Sequence, residues 1–166
     1  VGGGAIYDIG CYAIVAGRYL FESEPLRVIS LIDRDPQFQT DRTASALIDF
    51  GGGRRLEFTV STQSTPYQRV HAVGTEKRLE IEIPFNAPLG GATRLFLDEG
   101  KVHGNAQAVT ENFAPCNMYT LQGDAFSRVV RGEIPLPYGV EDAICNMRVI
   151  DALFASEKSG GWVSLA

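Results

Sequence analysis

From Leu26 to about Leu97 the side chains alternate with a period of two, interrupted only by short turns, and this restricts the fold more than any other feature. Thr43 to Phe50 and Arg54 to Thr62 flank Gly51-Gly52-Gly53, a hairpin signal. Gln68 to Val73 and Lys77 to Ile83 flank Gly74-Thr75-Glu76, a second one, and Thr93 to Leu97 is a further strand. Connections this short join antiparallel neighbours, because parallel strands need a crossover of a dozen or more residues. In the second half of each hairpin one face is dry and the other wet: Leu56, Phe58 and Val60 alternate with Arg55, Glu57 and Thr59. Leu26 to Ile32 is apolar on both faces, which places it inside a sheet.

Helical spacing brackets the strands. Ala5 to Phe21 reads as a helix with Ile6, Ile9, Ala13, Ala16 and Leu20 on one stripe, ended by Glu24-Pro25. Asn117 caps a helix burying Leu121, Ala125, Phe126 and Val129 and closing at Arg131-Gly132. A last helix, Val140 to about Glu157, carries Ile144, Met147, Ile150, Leu153 and Phe154, and Trp162 to Leu165 adds a short strand. The expected fold is α+β: an open, mostly antiparallel sheet with helices packed on one face, formed by residues 1–166 as a single domain. Its other face needs a cover, since Arg27/Ile29/Leu31 and Leu26/Val28/Ile32 cannot both be satisfied by the same helices. Either a symmetric sheet-to-sheet homo-oligomer or long loops would provide it.

Composition narrows the partners. The net charge of −5 and the scattered arginines argue against nucleic acid, which needs a concentrated basic surface. No apolar run reaches the length of a membrane span. Cys11, Cys116 and Cys145 are odd in number and far apart, unlike a disulfide framework or zinc site, so reduced thiols and a cytoplasmic setting are expected. His71 and His103 have no metal-ligand spacing around them, and no metal is expected. Val1 followed by Gly2-Gly3-Gly4 is neither an initiator nor a signal sequence, so the chain is expected to begin inside a longer product.

The segment with most chemical content is Gly2-Gly3-Gly4-Ala5-Ile6-Tyr7-Asp8-Ile9-Gly10-Cys11-Tyr12. Asp8 and Tyr12 are four apart and share a helix face. A carboxylate accepts hydrogen bonds from substrate hydroxyls, and a phenol donates or accepts a proton. An unassisted tyrosine has a pKa of about 10 and needs a nearby cation to act as a base at neutral pH. The competing reading is an Asp favourably placed near a helix N-terminus and a Tyr packed in the core.

GGGAIYDIGCYAIVAGRYLFESEP resembles the segment that opens the C-terminal domain of the Gfo/Idh/MocA oxidoreductases, with Asp8, Gly10 and Tyr12 in its Asp, Gly and His-or-Tyr places. NMYTLQGDAFSRVVRGE and GVEDAICNMRVIDALFASEKSGGWVSL extend the similarity. Tyr12, where many members have His, matches the glucose-fructose oxidoreductase and dihydrodiol dehydrogenase side of the family. The resemblance implies a glyceraldehyde-3-phosphate dehydrogenase-like C-terminal fold and an N-terminal Rossmann domain outside this chain. That domain would bind NAD or NADP and supply a lysine, from a Glu-Lys-Pro motif, beside the phenol. It further implies hydride transfer to or from a sugar, polyol or related hydroxy compound. Tyr12 would be the acid/base and Asp8 would orient substrate hydroxyls, with the domain inactive alone.

Asn117 and Tyr119 lie where members of the family reach substrate, or else are a helix cap and a surface aromatic. Arg18 and Tyr19 read as packing or interdomain contacts, with substrate contact as the alternative. Gly51-Gly52-Gly53 and Gly90-Gly91 look like turns, not a phosphate loop. Two rival functions stay open: a non-catalytic assembly module, and an NAD-dependent relative that cleaves glycosides.

Overall fold

The computed structural model describes residues 3–101 and 107–165. His103 and Gly2 lie outside the described residues. A π-helical turn, Ile6–Gly10, runs into α1 (Cys11–Phe21) and is followed by β1 (Arg27–Arg34), β2 (Asp41–Asp49) and β3 (Arg55–Ser61). Then come β4 (Val70–Val73), β5 (Arg78–Ile81), β6 (Thr93–Asp98) and β7 (Val109–Phe113). α2 (Met118–Val130), α3 (Val140–Ser159) and β8 (Val163–Ser164) complete the order. The α+β class holds, and every strand pair is antiparallel. The strands nevertheless divide between two four-stranded sheets, β3-β2-β1-β8 and β4-β5-β6-β7, where the sequence reading has one. The break falls in the strand-free segment around Thr65-Pro66, since proline donates nothing to a ladder. The chain accordingly forms two compact units, Val1–Thr65 with Tyr138–Ala166, and Pro66–Pro137.

The first unit holds the core. Register places Val28, Ile48 and Leu56 side by side, with Ile32, Ala44 and Val60 in a parallel row. Ile6, Ile14, Val149, Ile150 and Leu153 from the helical segments join them in one buried cluster. A buried polar clasp ties α3 to β1: Ser156 Oγ accepts from the Ser30 N–H (3.0 Å) and donates to the Gly161 carbonyl (2.7 Å). Ser30 Oγ in turn donates to the Leu153 carbonyl (2.7 Å), so these buried polar groups have partners.

Both helical stripes hold in part: Ile6, Ile150 and Leu153 are buried and Ile9 and Phe154 pack on the core, but the remaining positions differ. In α1 the buried positions are Ile14, Gly17 and Arg18, while Leu20 is 40% exposed. The cause is Gly17: a Cβ there would meet Leu56 at 2.8 Å and Phe50 at 3.3 Å, so the helix lies closest to the sheet where it has no side chain. In α3 the buried stripe runs Asn146, Val149, Ile150, Leu153, Ser156, and Ile144 and Met147 face outward.

At the end of α3, Arg34 grips Glu157 through two bonds of 2.7 and 2.6 Å, which hold the Glu157 carboxyl below the ordinary range. A depressed folded pKa means that this pair stabilises above the unfolded value of about 4.3 and that the gain is lost as pH falls through the lower folded value. Glu157→Gln is therefore expected to lower the thermal midpoint at neutral pH, with the difference from the parent shrinking below about pH 4. Thermal melts of both proteins across pH check it; a constant difference contradicts it.

In the second unit Asp98 alone among the described residues is buried. It pairs with Arg78 at 3.3 Å. The expected burial of α2 does not occur: Leu121, Phe126 and Val130 are exposed and Ala125 and Val129 only half-buried. Among the described residues of its own unit, no other element covers the apolar side of α2.

Candidate active site

Asp8 and Tyr12 both project at the surface of the first unit, Tyr12 being 47% exposed. The helix that presents them is not regular. Its first turn is π-helical, with the Cys11 N–H donating to the Ile6 carbonyl five residues back. In a regular helix of 3.6 residues per turn, a residue four on overshoots a full turn by about 40°. A turn closed by i→i+5 bonds holds more residues, so it takes up part of that overshoot. Asp8 and Tyr12 are thereby brought closer to one bearing than in the regular helix expected from the sequence.

The start of this segment is held from a distance. Asp41, the first residue of β2 and 3% exposed, accepts the Ile6 N–H on Oδ2 at 2.6 Å. The bond serves one of the donors that a helix start leaves without an intrahelical partner. Gly4 makes room for it, at φ +108°, where an added Cβ would sit 1.9 Å from Asp41 Oδ1. The glycine-rich entry is thus a specific fit to a carboxylate. Sequence reasoning missed Asp41, because the cap is 35 residues away in the chain and carries no local signal.

The opposite end is held by α3, where Asn146 Nδ2 donates to the Cys11 carbonyl at 3.3 Å. Burial pushes the Cys11 thiol up, and the Asp8 charge adds to this against a backbone hydrogen bond from Tyr12. The thiol therefore stays protonated at neutral pH and is a poor nucleophile. Arg18 packs under the helix with hydrogen bonds to Glu24 (2.9 and 2.8 Å) and Asp142 (2.8 Å), which raise its pKa further. It is a structural ion pair. Tyr19 is exposed.

The other candidates lie in the second unit. Asn117 caps α2, its Oδ1 accepting the N–H groups of Tyr119 (3.0 Å) and Thr120 (3.2 Å). Tyr119 is exposed. His71 stands on β4 opposite Glu80. Together with Arg78 and Asp98 it lines a cavity of about 120 Å³. Among the described residues no group of three or more His, Cys, Asp or Glu could hold a metal ion, and no helix is long and apolar enough to cross a membrane. Gly51–Gly53 form the β2–β3 turn and not a strand-to-helix phosphate loop.

Residues 1–80 match the GFO/IDH/MocA C-terminal domain family. An uncharacterised oxidoreductase of Rhizobium meliloti is 40% identical over 162 residues, covering 98% of this chain and 48% of the relative. D-Xylose 1-dehydrogenase (NADP(+)) 2 of Haloferax volcanii is 34% identical over 167 residues, covering 98% of this chain and 48% of the relative. The chain thus spans about half the length of the curated relatives it matches. In fold it is similar to the aldose-aldose oxidoreductase of Caulobacter crescentus complexed with glycerol, with a TM-score of 0.80 at 22% identity, over 99% of this chain and 48% of the other. Over residues 1–80 the chain carries a GFO/IDH/MocA C-terminal domain.

Proposed function

We propose that this chain is the substrate side of an NAD(P)-dependent oxidoreductase acting on a sugar, polyol or related hydroxy compound, with Tyr12 as acid/base and Asp8 orienting substrate. The observation that carries the reading is the surface position of both groups around a π turn held at its start by Asp41 and at its junction with α1 by Asn146. The relative named as an NADP(+)-dependent xylose dehydrogenase supports the cofactor and substrate class.

The residues present do not fit a dinucleotide on their own. The glycine runs at Gly51–Gly53 and Gly90-Gly91 open no helix, and Glu-Lys-Pro occurs nowhere in the chain. NAD(P) and the activating lysine are therefore assigned to an N-terminal Rossmann partner, and the domain alone is expected to turn over nothing. The nicotinamide supplies the hydride acceptor or donor when bound. Asp8 accepts hydrogen bonds from substrate hydroxyls and fixes the reacting carbon's orientation. The Tyr12 phenol exchanges a proton with the reacting oxygen as that carbon gains or loses hydride. Asn117 and Tyr119 are assigned to the substrate pocket on the family resemblance, beyond the capping role of Asn117.

The test is the absorbance change of the nicotinamide when the complete protein is given NADP+ or NAD+ with D-xylose, other aldoses and polyols. Oxidation of one of these supports the reading. Cleavage of a glycoside without net NAD(P)H favours the glycoside-cleaving rival, and no turnover of any of them favours the assembly module.

The open sheet face supports homo-oligomerisation as a second property. Ile29 and Leu47 are neighbours there, Leu31 is 78% exposed, and Ser45–Thr59 and Thr43–Ser61 form hydroxyl pairs at 2.8 and 2.9 Å. The face forms a trough of about 950 Å³. An apolar residue this exposed between polar pairs fits a self-complementary contact. Leu31→Asp is expected to lower the solution mass to that of the monomer in light scattering, and an unchanged mass contradicts this.

A further inference from the structure

We propose that Asn146 is a positioning residue for the Asp8/Tyr12 pair, an inference that rests on the oxidoreductase reading above. Asn146 is 8% exposed on the first half of α3, and its Nδ2 donates to the Cys11 carbonyl at 3.3 Å. Among the described residues its buried Oδ1 has no hydrogen-bond partner. Exchanging the two ends of the amide gives no relief, because it sets two oxygens face to face.

Stability alone does not explain an amide here. The Cys11 carbonyl lies in the first turn of α1, where helical geometry already offers it the Val15 N–H. A leucine of similar size would remove the orphaned acceptor, and the Cys11 carbonyl it leaves keeps its helical partner, so the exchange strands no buried polar group. A buried polar atom kept without a partner points to a role other than holding the fold.

That role is set by where the bond lands. Cys11 is the joint between the π turn carrying Asp8 and the α-helix carrying Tyr12. If the π turn relaxed to a regular helix, the Asp8 side would return to the offset of about 40° from Tyr12 that four residues at 3.6 per turn give. Asp8 would then leave the bearing it shares with Tyr12 while Tyr12 stayed in place. The Asn146 amide grips the chain at the joint, and Asp41 fixes the far end of the same turn. Together they hold the carboxyl and phenol in one alignment.

The experiment uses the complete oxidoreductase and compares Asn146→Leu, Asn146→Ser and Tyr12→Phe with the parent on whichever sugar or polyol it turns over. Asn146→Leu is expected to melt at or above the parental temperature while kcat falls about 10- to 100-fold, as misplacement by an ångström can do, with KM changed less than about threefold. Asn146→Ser, which keeps a small donor, should lie between. Parental kcat in Asn146→Leu, with Tyr12→Phe crippled, overturns the inference and leaves the oxidoreductase reading standing. So does a loss of kcat matched by a large drop in melting temperature in both Asn146 variants. Parental kcat in Tyr12→Phe overturns the reading itself, and the role of Asn146 with it.

Discussion

On the proposed oxidoreductase reading, Tyr12→Phe in the complete protein is expected to lower turnover on a sugar or polyol by about 10²- to 10⁴-fold, the usual contribution of a positioned acid/base. Nucleotide affinity should stay within a few-fold, because the dinucleotide is assigned to the other domain. The substitution removes one hydroxyl from a half-exposed ring, so the core cluster built on Ile6, Ile14 and Leu153 is untouched. The thermal midpoint should be close to parental. Steady-state kinetics, nucleotide titration and a melt decide the matter together: parental kcat removes Tyr12 from the chemistry, and a collapsed melt makes the loss one of folding.

Gly4→Ala is expected to have the largest effect on stability. The backbone at φ +108° is poorly tolerated by any residue with a Cβ, and the new carbon would overlap the Asp41 carboxylate at 1.9 Å. Either the carboxylate withdraws, leaving the Ile6 N–H without its 2.6 Å partner, or the backbone turns and displaces the π segment. Strain of this kind is about 1–3 kcal/mol and a lost cap about 1 kcal/mol. At about 2–4 °C per kcal/mol for a chain of this size, the melting temperature should fall by on the order of 5–15 °C. Because Gly4 and Asp41 act at one contact, Gly4→Ala combined with Asp41→Ala should be less destabilising than the two single effects added. Additive losses would show that the clash lies elsewhere.

The legible parts of this chain were those written in side chains close together in sequence. Alternation around Gly51–Gly53 located the β2–β3 hairpin, and the capping preference of Asn117 located the start of α2. The helical stripes were harder, since they were sought among apolar residues alone. Gly17 is buried because it has nothing to bury, and the α3 stripe begins and ends on polar residues, Asn146 and Ser156. At the site, Asp8 and Tyr12 could be paired by spacing, whereas the two groups that hold their helix could not. Asp41 and Asn146 reach it from 35 and 135 residues away. The π turn between them has no propensity signature; it is set by these tertiary anchors.

The contrast between the two units bears on how such a protein can diversify. A segment from Pro66 to Pro137 in which Asp98 alone is buried among the described residues imposes few demands on side-chain volume. Loops there can lengthen, and residues along β4–β7 and α2 can be exchanged, without opening a void beneath Ile14 or Leu153. Sequence change can accumulate in that region while the anchored helix of the first unit is inherited unchanged.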